Sequence, residues 1–133
     1  MRREVILGPD QGRHYDMGPI RAVFKADGAE TASRYSVSEW WLEPHHEGPG
    51  AHRHEESDEL FYVLEGSPSF LVGEVWKVMP RGSFLMIPHG IVHDFRNESD
   101  ARAGILNIYT PGSFEPDMPA IVDWFRANPA KRI

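Results

Sequence analysis

Glycine and proline divide this sequence into short segments, which limits the folds that it can adopt. The 133 residues include 12 glycines and 11 prolines, and both residue types favour turns and interrupt helices. Between them lie seven short runs rich in aromatic and β-branched residues, the composition typical of β-strands. These runs are 35–42, 60–64, 70–72, 75–78, 84–87, 91–97 and 105–109. The pattern predicts an all-β sandwich or barrel.

The run 91–97 shows the clearest alternation. Ile91, His93, Phe95 and Asn97 lie two residues apart and so share one face of an extended strand. Two of these residues are strongly apolar, so this face is predicted to point into the core. His93 is therefore expected to point inward.

Two connections outside these runs have signals of their own. Gly73 precedes Glu74 in the link between 70–72 and 75–78, and glycine in that position predicts a type II′ hairpin. Asp117 is placed to cap a helix over about 118–128, with Pro119 in its first turn. The helix is expected to pack on the outside of the barrel through Ile121, Val122, Trp124 and Phe125. Residues 1–34 have no pattern regular enough to place an element.

Length and composition fit a single domain over residues 1–133, with a core barrel at about 35–110. Hydrophobic residues make up 41% and charged residues 26%, which are ordinary globular values. No apolar run approaches the roughly 18 residues of a membrane helix. Residues 1–6 also lack the apolar region and cleavage site of a signal peptide. We therefore expect a cytoplasmic protein without a membrane partner.

The chain contains no cysteine, which excludes disulfides, thiolate metal ligands and cysteine nucleophiles. Any bound metal must be held by imidazole and carboxylate groups. The formal net charge is -6, with no cluster of lysine or arginine, and phosphate binding needs concentrated positive charge. Nucleic acid is therefore not an expected partner.

The histidines are clustered, since six of the seven lie between positions 45 and 93. In an extended segment, His52 and His54 lie on the same face while Arg53 points away, so both imidazoles can reach one ion. A histidine pair of this spacing is by itself weak evidence, because such pairs also occur on surfaces without a metal. Further residues must support it.

The pair begins a longer pattern. Glu59 follows His54 after four residues, and Gly66 follows after six more, giving His-x-His-x4-Glu-x6-Gly. After the 15 residues 67–81, a second pattern reads Gly-x5-Pro-x-Gly-x2-His-x3-Asn. Its members are Gly82, Pro88, Gly90, His93 and Asn97. Together these spacings resemble the two motifs of the cupin family.

One motif position differs from the family pattern. His46 stands where the first motif has a glycine, and Gly48 and Gly50 lie close by instead. The other nine of the ten motif positions match, including every position that carries a metal ligand in the family.

The resemblance implies a double-stranded β-helix, a jelly-roll-like barrel, with a short C-terminal α-helix. It also implies one divalent transition metal bound by His52, His54, Glu59 and His93. The assignment of Glu59, rather than Glu55, Glu56 or Asp58, rests on the family spacing alone. Three imidazoles and one carboxylate suit Fe, Mn, Ni, Co, Cu or Zn, and the sequence does not choose among them.

Several aromatic residues are candidates for a pocket that binds a flat organic substrate, although each can equally be part of an ordinary core. They are Phe61, Phe95, Tyr35, Trp41 and Tyr109.

Four polar residues have two possible roles each. Asn97 either supports His93 or caps a turn. His45, His46 and His89 either face the barrel mouth or lie in exposed loops.

Both faces of the predicted strand 60–64 are apolar, one through Phe61 and Val63 and the other through Leu60, Tyr62 and Leu64. Leu60, Tyr62 and Leu64, together with the C-terminal helix, indicate a homodimer surface, unless N-terminal strands cover them.

By resemblance, the leading hypothesis for function is a metal-dependent dioxygenase similar to the quercetin dioxygenase-like cupins. The segment 109–115, which follows the last predicted strand, also favours this subgroup. In such an enzyme Glu59 would be the catalytic residue, binding the metal and accepting the proton of a phenolic or enolic substrate. The alternatives are a non-catalytic module that binds a sugar or organic acid, and a metal-dependent isomerase or decarboxylase.

Overall fold

Residues 2–133, which the computed structural model describes, form nine strands and two α-helices. The strands are β1 (Arg13–Asp16), β2 (Ile20–Ala26), β3 (Ser36–Leu42), β4 (Asp58–Glu65), β5 (Ser69–Val72), β6 (Val75–Val78), β7 (Phe84–Ile87), β8 (His93–Arg96) and β9 (Ala103–Thr110). Helix α1 (Gly28–Thr31) follows β2, and a 3-10 turn (Glu115–Asp117) leads into α2 (Met118–Ala127).

The strands form two antiparallel sheets. One has six strands in the order β1-β2-β3-β9-β4-β7, and the other has three in the order β6-β5-β8. The main core contains inward side chains from both sheets, including Phe24, Leu42, Phe61, Phe70 and Phe95. The protein is thus the double-stranded β-helix that the sequence predicted.

All seven predicted runs form strands. Strands β6 and β7 have the predicted bounds, and β8 is shorter than predicted, at His93–Arg96. Of the two residues between β5 and β6, Gly73 alone has a positive φ, of 66°, as the predicted type II′ turn requires.

No element was predicted for residues 1–34, whereas the structure places β1, β2 and α1 there. Ile20, Ala22 and Phe24 alternate on β2 and are fully buried, so the period of a strand was present. Arg21 and Lys25 lie on the other face of this strand. With two charged residues and two small alanines among its seven residues, the run has a weak apolar signal.

Helix α2 differs from its prediction in two respects. Asp117 does not cap it with its side chain, because Asp117 is itself helical and belongs to the preceding 3-10 turn. Its packing residues also differ in part: Phe125 is buried in the main core as predicted, but so is Met118, while Trp124 is 55% exposed.

The start of α2 is attached to the first strands through polar contacts. Asp27 accepts hydrogen bonds from the backbone N–H groups of Phe114, at 2.9 Å, and Glu115, at 3.1 Å. Burial alone would raise the pKa of Asp27, but these hydrogen bonds outweigh burial and lower it. Glu115 in turn accepts a hydrogen bond of 2.7 Å from the Tyr15 hydroxyl. Phe114 and α2 are thereby held in a fixed position.

The outward face of β4 and β7 exposes large apolar side chains. Tyr62, Phe84 and Met86 are 46%, 58% and 55% exposed, and Leu60 and Leu64 are half-buried. Strands β1 and β2 lie at the other edge of the same sheet. They therefore do not cover this face, which was the alternative to a homodimer surface. Neither helix in residues 2–133 has the length and apolar character needed to cross a bilayer.

Candidate metal centre and its cavity

Both sheets contribute to one cluster of potential metal ligands. Glu59 is the second residue of β4 and His93 is the first residue of β8, while His52 and His54 lie in the segment before β4. Two backbone hydrogen bonds, of 3.0 and 2.8 Å, join His52 to His93. One ligand atom from each of the four residues lies within 4.8 Å of the others. The residues that the sequence assigned to the metal are thus brought together.

Backbone carbonyls orient two of the imidazoles. The Nδ1 atom of His52 lies 2.7 Å from the carbonyl oxygen of Gly50, and Nδ1 of His93 lies 2.9 Å from that of Ile91. A carbonyl oxygen only accepts, so both Nδ1 atoms carry the proton and donate it. In the neutral imidazole, each Nε2 then keeps a free lone pair, which is the form of histidine that binds a metal.

His54 provides a separate observation. Its Nε2 atom is buried and has no hydrogen-bond partner among the described residues, although it contacts Oε1 of Glu59. The Nε2 atom of His93 lies 3.3 Å from the same oxygen. A buried nitrogen without a hydrogen-bond partner, next to a buried carboxylate, is costly unless a cation binds both groups. The cluster therefore fits a divalent transition metal.

The pKa shifts agree with a preformed anionic centre. Burial alone would raise the pKa of Glu59, but contacts with His54 and His93 outweigh it and lower the pKa to about 2. Burial lowers the pKa of His52, which favours the neutral imidazole. For His93, burial acts in the same direction, but the contact with Glu59 and the hydrogen bond to the carbonyl of Ile91 together outweigh burial and raise the pKa. As the pH falls, protons compete for His93 before they compete for His52.

Asn107 holds the other oxygen of Glu59, a contact that the sequence analysis missed. Its Nδ2 atom donates to Glu59 Oε2 at 2.8 Å. Asn107 lies on β9 opposite Phe61 of β4, and it is only 9% exposed. The sequence did contain a signal for this contact. Asn107 shares a strand face with Ile105, which predicts that it is buried, and a buried polar side chain needs a hydrogen-bond partner.

The cluster opens into a cavity of about 280 Å³. Aromatic residues dominate its lining, and among residues 2–133 no lysine or arginine contributes to it. The large apolar lining residues are Trp40, Phe61, Phe95, Phe114, Ile121, Trp124 and Phe125. Phe61 and Phe95 were candidate pocket residues, whereas the sequence did not indicate Trp40, Phe114 or the contribution of α2. Four of these residues follow position 110, beyond the predicted barrel.

The remaining aromatic candidates lie elsewhere. The ring of Tyr109 lies 5.0 Å from that of His54 and supports the centre without lining the cavity. Tyr35 is 41% exposed and lies beside the N-terminal segment. Trp41 points away from the interior, where the guanidinium carbon of Arg102 lies 4.5 Å from its ring. Neighbouring residues of a strand face opposite sides, so Trp40 points inward in its place.

The other histidines lie outside the cavity. His45 pairs with Asp100, His46 bonds to the carbonyl of Pro44, and His89 pairs with Asp58.

The nearby acidic residues and Asn97 do not reach the cluster either. Glu55 and Glu56 are exposed, and Asp58 accepts a hydrogen bond from the His89 backbone. Asn97 donates to the carbonyls of Leu42, Glu43 and Ala101, so it joins loops and does not support His93.

Residues 38–109 match the cupin domain family. The match covers more than half of the chain and includes Glu59, both motif histidines of the first pattern and His93, so the chain belongs to the cupin family.

Solved structures give the same architecture. An RmlC-like cupin from Shewanella frigidimarina is 19% identical with a TM-score of 0.70, covering 84% of this chain and 94% of that one. KdgF from a Halomonas species is 14% identical with a TM-score of 0.72, covering 87% and 99%. A predicted oxalate decarboxylase from Thermotoga maritima is 16% identical with a TM-score of 0.71, covering 82% and 99%. At such identities the likeness establishes the fold. No curated protein sequence gives a significant match.

Proposed function

We propose that this cupin is a metal-dependent dioxygenase that acts on a small phenolic or enolic substrate, with His52, His54, Glu59 and His93 as the metal ligands. The observation that carries the proposal is the position of the cluster, at the wall of an aromatic cavity without lysine or arginine among the described residues. Such a lining suits a flat, largely apolar molecule that uses one oxygen to bind the metal.

A redox-active divalent metal would supply the site at which oxygen and the substrate hydroxyl meet. The protein has two tasks around it. The aromatic side chains orient the substrate and exclude water. The carboxylate of Glu59, which its low pKa keeps ionised at neutral pH, binds the metal and accepts the hydroxyl proton as that proton becomes acidic.

Charge favours this substrate class over a dicarboxylate. A divalent cation with Glu59 has a net charge of +1, which a phenolate or enolate neutralises. A dicarboxylate such as oxalate would leave an excess negative charge in an apolar cavity, with no lysine or arginine in the described lining to compensate it. A decarboxylase of the kind named for the Thermotoga structure is therefore the less favoured alternative.

Oxygen consumption tests the proposal. Protein purified without a histidine tag is stripped of metal and reloaded separately with Fe(II), Mn(II), Ni(II), Co(II), Cu(II) or Zn(II). It is then mixed with flavonols, catechols and enediols in an oxygen electrode. We expect uptake of one O2 per substrate consumed, since a dioxygenase transfers both oxygen atoms to its product. Turnover that continues without oxygen would indicate an isomerase or decarboxylase, and a loaded protein inert to the whole panel would contradict catalysis.

We also propose that the chain forms a homodimer through the outward face of β4 and β7. Support comes from the exposure of Tyr62, Phe84 and Met86, since apolar side chains grouped on one sheet face usually mark a contact surface. We expect light scattering to give a dimer for the wild type and a shift toward monomer for Phe84→Asp. Val78→Asp is the matched control, since Val78 is 64% exposed but lies on the other sheet. A monomeric wild type at micromolar concentration would refute this interface.

A further inference from the structure

Asn107 lines the cavity beside Glu59 and holds one of its carboxylate oxygens. Apart from the metal cluster, the described cavity lining holds no other side chain that combines a hydrogen-bond donor and acceptor. We propose that Asn107 positions Glu59 with its amide nitrogen and recognises a hydroxyl of the substrate with its amide oxygen. This inference deepens the proposed function and rests on it.

The first half of the proposal follows from donor and acceptor chemistry. An ionised carboxylate only accepts hydrogen bonds, so the atom of Asn107 that lies 2.8 Å from Glu59 Oε2 is the nitrogen. Oε1 of Glu59 faces His54 and His93. The two carboxylate oxygens thus have separate partners, and Asn107 fixes the carboxylate with Oε1 toward the metal. It is a positioning residue for a metal ligand.

The second half concerns the atom that remains. The Asn107 oxygen has no hydrogen bond to any residue in 2–133. Within residues 2–133, the side-chain atoms that are both sealed from solvent and without a hydrogen-bond partner belong to His54 and Arg96. The Asn107 oxygen is not among these sealed atoms, and Asn107 lines the cavity, so this oxygen is open to the cavity. A carbonyl oxygen accepts only, so a ligand must bring a donor to it.

This requirement narrows the substrate class. The amide oxygen of Asn107 is adjacent to the amide nitrogen that holds Glu59, a metal ligand. The substrate hydroxyl that donates to this oxygen therefore lies next to the substrate oxygen that binds the metal. The substrate is then a molecule with two neighbouring oxygens, one binding the metal and one still protonated, such as a catechol monoanion or an enediol. An ionised dicarboxylate has no proton to offer there and is selected against, because it would leave the buried oxygen unpaired.

Asn107→Leu removes both amide functions at similar size, and Asn107→Ala does so without any steric conflict, should the leucine variant fold poorly. The probes are Co(II), whose visible spectrum reports its ligands, and the pair 4-nitrocatechol and its 2-methyl ether, which lacks one donor. Neither measurement requires turnover. Ser69→Ala is the control and should leave both measurements unchanged, since Ser69 is also a buried polar residue of a strand but does not line the cavity.

For both Asn107 variants we expect Co(II) to bind about 10- to 100-fold more weakly, with an altered spectrum, because the carboxylate loses its orienting partner. We expect 4-nitrocatechol to lose roughly three- to tenfold in affinity at saturating Co(II), while the methyl ether is unaffected. Wild-type Co(II) affinity and spectrum in these variants would overturn the positioning role. Equal losses for both ligands, or none for either, would overturn the recognition role. Absence of oxygen uptake would count only against the proposed dioxygenase, because the binding measurements do not depend on it.

Discussion

Replacement of His93 by alanine is expected to lower bound metal well below one equivalent while leaving the barrel folded. Removing a residue that merely orients a metal ligand typically weakens binding by 10- to 100-fold, so losing one of four ligands should cost at least about 100-fold. The strand itself should persist, because His93 joins β8 to its neighbours through backbone hydrogen bonds that alanine retains. His52→Ala should behave in the same way. Elemental analysis and metal titration measure the loss, and circular dichroism checks the fold.

The control for this pair is His89→Ala. His89 lies only four residues from His93, but it is exposed and pairs with Asp58 outside the cluster. It should therefore retain full metal content. Stoichiometric metal in both His52→Ala and His93→Ala would show that the four residues are not the ligand set, whereas loss in His89→Ala as well would indicate a nonspecific effect.

The strands and the metal-binding histidines could be predicted from the sequence, because each depends on a short-range pattern. Alternation put His93 with Phe95 on a buried face, and the spacing of His52 and His54 put both on one side of an extended segment. Glu59 was different. Both faces of 60–64 are apolar, so periodicity did not distinguish Glu59 from Asp58, and only the family spacing did. The structure separates them clearly, since Glu59 is 5% exposed and Asp58 points to His89.

The cavity could not be predicted from the sequence, because segments far apart in the chain form it. Phe114 and α2 follow the last strand by several residues, and nothing in their own pattern indicates that they face the cluster. Their position depends on Asp27, more than 80 residues earlier, whose carboxylate accepts from the backbone of Phe114 and Glu115. A contact at that separation leaves no periodic trace in either segment. The prediction for α2 therefore included its apolar stripe but not the cavity that the stripe lines.

Asn107 illustrates a partial failure. Its face was predictable from the alternation of Ile105 and Tyr109 around it, so its burial could have been inferred. Its partner could not, because β9 pairs with both β3 and β4 and the register decides which polar group it meets. The register opposes Asn107 to Phe61, two residues from Glu59, and so places the amide beside the carboxylate.

A second large effect is expected for Gly48→Ala, which should destabilise the protein by about 3 kcal/mol. A Cβ atom at Gly48 would lie 1.8 Å from the backbone oxygen of Phe95 and 2.9 Å from its carbonyl carbon. Both are main-chain atoms of β8, so no side-chain rotation relieves the overlap. Either the segment leading to His52 or the strand carrying His93 must move. Thermal unfolding should show a midpoint lower by roughly 10 °C, and metal affinity should fall with it because the two histidines are displaced.

Gly48 also lies close to the one motif position that departs from the family pattern. His46 stands where the motif has a glycine, and Gly48, two residues later, makes the close approach to β8. Two other glycines separate the possible causes. Gly50 has a φ of +96° but nothing within 4 Å of an added Cβ, so Gly50→Ala measures backbone strain alone, at about 1 to 2 kcal/mol. Gly8→Ala, whose Cβ would meet only the flexible Gln11 side chain at 3.4 Å, should stay within about 0.5 kcal/mol of the wild type. If Gly48→Ala is no more destabilising than Gly50→Ala, the close approach to Phe95 does not fix this segment, and another contact must hold His52 in place.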